Sequence, residues 1–108
     1  HQYVRIGAYS IVGGCSKVVK DVPPYTKADG HPTTLWGLNT VGLRRANFPL
    51  QTRKVLKKAY QILFRSGLNT SQAIEKISNE LESSPPVRHL CSFIKNSQRG
   101  ICKERKVR

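Results

Sequence analysis

Arg53, Lys54, Lys57 and Lys58 place four cations within six residues, a grouping whose chemistry is recognition of negative charge rather than bond-making. They belong to a wider excess: Lys and Arg number 19 against 6 Asp and Glu, for a formal net charge of +13. Up to Trp36 the basic residues are Arg5, Lys17, Lys20 and Lys27; the other fifteen follow it. Such a balance favours an anionic partner: nucleic acid, an acidic protein, a phosphorylated ligand or an anionic lipid surface. Composition alone does not choose among these. Cys15, Cys91 and Cys102 have neither zinc-ligand spacing nor an even count, and read as free thiols in a reducing cytosol. No apolar run approaches the roughly 18 residues of a membrane span, and there is no signal-peptide core.

The cations need a helix to carry them. Pro49 suits a first helical turn and Gly67 the position after the end. Between them Val55, Leu56, Ala59, Ile62 and Leu63 form an apolar stripe, with Arg53, Lys54, Lys57, Lys58 and Arg65 on the other side. A short helix is expected through Gly42-Leu43-Arg44-Arg45, capped by Asn39. Asn69 with Gln72 resembles a capping box for a helix whose buried face is Ala73, Ile74, Ile77 and Leu81. After the break at Pro85-Pro86, the spacing of Val87, Leu90, Phe93 and Ile94 predicts a last helix. The tail from Gly100, with Lys103-Glu104-Arg105-Lys106, is expected to fray.

The first two dozen residues follow a different rule. Ile6, Val12 and Val18 open successive six-residue units, and Ser10, Ser16 and Val22 stand four positions later. Gly7 and Gly13 follow the first two aliphatic residues. A hexapeptide period is the mark of a parallel β-helix, in which each unit makes one short strand and a corner. Hairpin strands alternate with period two and helices repeat near 3.6, and neither fits. Pro23-Pro24 is expected to end the repeat, because proline lacks the N–H that a ladder needs. Tyr25 to Trp36, with Asp29-Gly30 and Pro32, reads as an exit loop. One coil cannot bury its own apolar row, and the chain begins with His. The expectation is therefore the C-terminal end of a longer solenoid. The fold class is α+β, with coil end and exit loop over residues 1–36 and a helical domain over 37–108. The helical part is short enough that it should lean on the coil or on neighbouring subunits.

Several blocks along the chain resemble one family. His1-Gln2-Tyr3, the hexapeptides through Val12-Gly13-Gly14-Cys15-Ser16, Asp21-Val22-Pro23-Pro24-Tyr25, Gly37-Leu38-Asn39, Gly42-Leu43-Arg44-Arg45, Ala59-Tyr60 and Arg65-Ser66-Gly67 recur in that order. They are similar to the C-terminal part of the acyl-[acyl-carrier-protein]:UDP-N-acetylglucosamine O-acyltransferases, which perform the first step of lipid A synthesis. The resemblance spans nearly the whole chain and weakens after about Asn69. It implies a left-handed parallel β-helix that forms a homotrimer in the cytoplasm, with active sites between subunits and no cofactor or metal. The implied reaction moves a 3-hydroxyacyl chain from acyl carrier protein to the 3-hydroxyl of UDP-N-acetylglucosamine. The family's general base is a histidine of an earlier coil; none of the three histidines here matches it. No catalytic residue is assigned, and this segment alone is not expected to turn over.

The same resemblance assigns binding roles. His1 and Gln2 fall where the family contacts the nucleotide-sugar. Asn39 and Arg45 fall where it grips the uridine diphosphate, and a guanidinium offers phosphate a planar fork of donors. Set against those roles are a polar coil corner for His1 and Gln2, a helix cap for Asn39 and a solvated helix face for Arg45. The family often has a further arginine where Ala46 stands, and an acidic residue where Val41 stands. Gly14 matches the acyl-chain ruler, where a bulky residue shortens the accepted chain; the alternative is a coil corner. Arg53, Lys54, Lys57 and Lys58 become candidates for docking the acidic carrier protein, against a plainly solvated face. Two other readings stand beside this one: a basic nucleic-acid-binding module, and a non-catalytic structural trimer remnant. The first lacks any recognition-helix motif and leaves the hexapeptides unexplained. A hexapeptide N-acyltransferase of the same pathway would lack the block from Asp21 to Arg45.

Overall fold

The computed structural model describes residues 3–106, so His1 and Gln2 lie outside the described residues. A three-stranded sheet is followed by helices. Strand β1 (Ile11–Val12) pairs in parallel with β2 (Thr26–Asp29), and β2 pairs antiparallel with β3 (Thr34–Leu38). Four helices follow: α1 (Thr40–Arg45), α2 (Leu50–Arg65), α3 (Thr70–Glu80) and α4 (Pro85–Lys95). Among the described residues no helix is long and apolar enough to cross a membrane.

The N-terminal segment keeps one pairing register along its length. Ile6 bridges Val22, Ile11 faces Lys27 and Val12 faces Ala28, all in parallel and each partner sixteen residues on. That step is two short of three hexapeptides. Val22, which the period placed late in its unit, instead stands opposite Ile6 and is fully buried. Asp21 fixes the shorter register, because its Oδ1 accepts the Arg5 N–H at 2.8 Å. The prolines do not end the pairing either. Pro23 and Pro24 are fully buried, and the chain near them accepts close contact: a Cβ on Gly7 would collide with the Pro24 backbone. Past them, Tyr25 donates its N–H to Ala8 O at 2.8 Å, and the parallel pairing continues to Ala28. Most of the expected exit loop is thus strand.

A second departure lies at the other end. The charged tail is not frayed: Cys102 donates to Asp21 O at 3.0 Å, and Leu35 donates to Lys103 O at 2.8 Å. Arg105 returns a bond to Leu35 O at 2.9 Å. Ile101 and Glu104 therefore form parallel bridges to Asp21 and Leu35. Alternation explains why a charged sequence can do this. Cys102 is buried and Glu104 half-buried, while Lys103 and Arg105 point to solvent.

The helices form as their caps and stripes require. Asn39 Oδ1 accepts from Gly42 N, Asn69 and Gln72 form a complete capping box, and Ser84 accepts from Val87 N. Pro85 and Pro86 occupy the first turn of α4, where a missing N–H costs nothing. Two cores result. One joins Leu43, Val55, Leu56, Ala59, Ile77, Val87, Leu90 and Ile94 with Tyr25 from the coil. The other joins Val22, Ala28 and Leu35 with Tyr60 of α2 and Cys102 of the tail. Each segment thus lends a side chain to the other's core. Burial, with Tyr9 beside it, pushes the Tyr25 phenol up to about 12.

Candidate functional site

The basic face of α2 lines a cavity of about 260 Å³. Leu38, Leu43, Leu50 and Tyr60 supply apolar walls; Arg53, Lys54, Lys57 and Arg65 bring the charge. Thr40, the first residue of α1, also lines it. Two of the cations are held. Arg53 donates its Nε–H to Phe48 O at 3.1 Å, and Arg65 pairs with Glu104 through Nε at 2.7 Å and Nη2 at 2.6 Å. Lys54 and Lys57 are exposed and enter no ion pair among the described residues, so their charge faces the cavity uncompensated. Glu104 also accepts from the Tyr60 hydroxyl at 3.2 Å. Burial and that carboxylate raise the Tyr60 phenol and keep it protonated as the donor. The tail that bridges Asp21 and Leu35 therefore also orients the cavity wall.

Of the four predicted docking cations the cavity gathers Arg53, Lys54 and Lys57; Lys58 is exposed but does not line it. Gln61 and Arg65 were missed. A signal was present, since Arg53, Lys57, Gln61 and Arg65 recur every four residues on one helix face.

Asn39 stands between Leu38 and Thr40, which line that cavity, but is not itself part of the lining. Its Oδ1 accepts from Gly42 N at 3.1 Å and its Nδ2 donates to Tyr9 O at 2.9 Å. The helix-cap role is therefore real, and it ties α1 to the first coil turn. An amide has two N–H groups and two lone pairs, so Asn39 keeps one donor and one acceptor position for a ligand. Arg45 lies at the other end of α1, exposed, its guanidinium making no ion pair or hydrogen bond among the described residues. The two are separated by the length of that helix, about 9 Å at 1.5 Å per residue.

Gly14 occupies another place, the outer face of the sheet. There a groove of about 430 Å³ is lined by Ile11, Val12, Gly13, Gly14, Lys27 and Trp36 among others. A Cβ on Gly14 would meet nothing within 4 Å, and its φ is not in the left-handed region, so the corner does not itself demand glycine. Gly13 differs: a Cβ there would collide with the Asp29 carboxylate. The groove is bounded by Trp36, over whose ring the Arg105 guanidinium stacks at 4.1 Å.

The thiols and histidines of the described residues line neither the α2 cavity nor the Gly14 groove. Burial raises the Cys91 and Cys102 thiols, and the Asp21 carboxylate raises Cys102 further, so both stay protonated. His31 and His89 are exposed, and neither meets a carboxylate among the described residues; His89 packs edge-on against Tyr25 and Phe93.

Known proteins share this arrangement. The family model described as UDP N-acetylglucosamine O-acyltransferase, domain 2, matches residues 21–102. An acyl-[acyl-carrier-protein]--UDP-N-acetylglucosamine O-acyltransferase of Nautilia profundicola is 43% identical over 107 residues, which is 99% of this chain and 41% of that protein. The protein of the same name from Thermodesulfovibrio yellowstonii is 50% identical over 88 residues, 82% of this chain and 34% of its own. The crystal structure of a UDP-N-acetylglucosamine acyltransferase from Bacteroides fragilis superposes with a TM-score of 0.92 at 40% identity, covering 95% of this chain and 40% of that one. The chain spans about 40% of the length of such relatives.

Proposed function

Because the chain belongs to the UDP-N-acetylglucosamine O-acyltransferase family, we propose that it forms the C-terminal part of an enzyme moving a 3-hydroxyacyl chain from acyl carrier protein to the 3-position of UDP-N-acetylglucosamine, the first step of lipid A synthesis. The observation that carries this reading is 43% identity over 99% of the chain to a relative bearing that name. The fold is the end of a left-handed parallel β-helix followed by a helical domain from about residue 37, assembled as a cytoplasmic homotrimer. The general base and oxyanion donor belong to coils that precede residue 1. This segment positions substrates.

Three groups of residues divide that work. His1, Gln2, Asn39 and Arg45 hold the nucleotide-sugar, with Arg45 offering its unpaired fork to the diphosphate. The groove at Gly14 takes the end of the acyl chain. The cavity ringed by Arg53, Lys54 and Lys57, with Lys58 beside it, receives the acidic carrier protein. What supports this division is separation: the cation-lined cavity and the groove at Gly14 share no lining residue, and Arg45 lines neither.

Two measurements on the whole acyltransferase test the assignments. Arg45→Ala removes charge-assisted bonds worth about 1.5–3 kcal/mol, so KM for the sugar nucleotide rises about tenfold or more with KM for the acyl carrier unchanged. An unaltered KM for the nucleotide assigns Arg45 to the solvated face. Gly14→Met fills the open groove and moves preference to shorter acyl chains. At about 0.8 kcal/mol per buried methylene, each excluded methylene costs about fourfold in kcat/KM. Identical chain-length profiles for variant and parent remove Gly14 from the acyl site.

A further inference from the structure

Between α3 and α4 lies a second built cavity, of about 300 Å³, that no step of the proposed acyl transfer uses. Its floor is apolar, made by Ile74 and Ile77 of α3 with Val87 of α4, and Cys91 forms one wall. The charges on its rim are Arg88 and Lys95, and no acidic residue lines it. Arg88 is not free to wander: its Nη1 donates to Ser83 Oγ at 2.8 Å. That single bond leaves four of the roughly five guanidinium donors for a ligand. Lys95, seven residues on and about 10 Å along the helix axis, holds the far end of the rim positive. Lys95, Ile74 and Ser78 also line an adjoining hollow, which is mostly polar and holds the Glu75 carboxylate, so the apolar floor is confined to the first cavity.

We propose that this cavity binds a small amphiphile, an alkyl chain with a single carboxylate head, its chain on the Ile74–Ile77–Val87 floor and its head on the Arg88 fork. Size selects the occupant. The volume falls at the lower end of the roughly 300–1,000 Å³ of small-molecule sites, and a partner helix of about 10–12 Å diameter does not enter it. Charge selects the head, since a floor of this kind with two cations and no carboxylate complements an anion. The site stands independently of the acyl groove at Gly14, which lies on the sheet and not between these helices.

Cys91 serves as a reporter, because it lines the cavity and is half-buried, while Cys15 is exposed elsewhere. Burial raises the Cys91 thiol, so labelling is run at alkaline pH. The experiment uses the intact protein and decanoate below its micelle-forming concentration, with maleimide labelling followed for each cysteine peptide. Decanoate is expected to slow Cys91 labelling at least fivefold and to leave Cys15 unchanged. Arg88→Gln raises the decanoate needed at least tenfold, and neutral decanol protects poorly. Equilibrium dialysis of labelled decanoate gives a second readout, run on the Gly14→Met protein so that the acyl groove is filled; there Ile74→Trp abolishes the remaining binding. Equal protection by decanol overturns the proposal, as does Gly14→Met protein that binds no decanoate or whose binding survives Ile74→Trp. Cys91 protection that grows with protein concentration without decanoate also overturns it, by assigning the groove to a second copy.

Discussion

Asp21→Ala lowers the stability of the protein by about 3–5 kcal/mol, the largest loss expected from any single polar substitution in the coil. The residue is 1% exposed. Oδ1 accepts from Arg5 N at 2.8 Å, and Oδ2 accepts from the Ser97 hydroxyl at 2.7 Å, across 76 residues of sequence. Its backbone does as much again, donating to Gly100 O at 2.9 Å and accepting from Cys102 N at 3.0 Å. Alanine keeps the two backbone bonds and strands two part-buried donors, Arg5 N and Ser97 Oγ, each at about 1–3 kcal/mol, with a small void in addition. Asparagine retains one acceptor oxygen and nearly the same volume, so Asp21→Asn loses about half as much. Urea unfolding of the three proteins, compared at equal slope, checks both numbers. A loss below about 1 kcal/mol for alanine means that water replaces the carboxylate and that other contacts set the register.

The second large effect concerns encounter with the carrier. Lys54→Glu combined with Lys57→Glu reverses two charges that face the cavity without an ion-pair partner among the described residues. In the whole acyltransferase, kcat/KM for the acyl carrier protein falls about a hundredfold at low ionic strength, because an attractive encounter with an acidic partner becomes repulsive. Near 0.5 M salt the Debye length shrinks to about 4 Å, and the deficit should narrow to within about tenfold. KM for the sugar nucleotide stays constant. Lys76→Glu combined with Arg99→Glu, two exposed positions off the cavity, makes the same change in net charge and alters little. A deficit that ignores salt, or that this control pair reproduces, removes this cavity from the docking surface.

Local chemistry was legible where it was local. The stripe from Val55 to Leu63, the Asn69–Gln72 capping box and the Val87–Ile94 spacing are each completed within one helix, and the helices formed as read. The Asn39 cap followed from the same logic. What escaped the sequence was pairing across long separations. The tail from Gly100 to Arg105 offers only a few alternating positions, too few to outweigh its charge, yet partners at Asp21 and Leu35 recruit it into two parallel bridges. Tyr60 was hidden for a related reason. It lies beside the stripe of its helix and is buried only because the coil comes to meet it.

The site was partly legible for the same cause. Arg53, Lys54 and Lys57 share a face by helical spacing, while the wall they need comes from β3 and α1. The hexapeptide period gave parallel pairing but not its step. Six-residue units imply eighteen per turn, and the Arg5–Asp21 bond settles the register at sixteen.

The helices leave the coil at Leu38 and return to it at Gly100, where the backbone is stitched to Asp21 again. A segment pinned at both ends cannot swing open like a flap on one hinge. Any rocking of the cationic wall against the sheet has to shear Leu35 from Lys103 and Arg105, or pull Glu104 away from Arg65. The cation-lined wall of α2 and the sheet that carries the Gly14 groove are thus held at one spacing by covalent and hydrogen-bonded sutures.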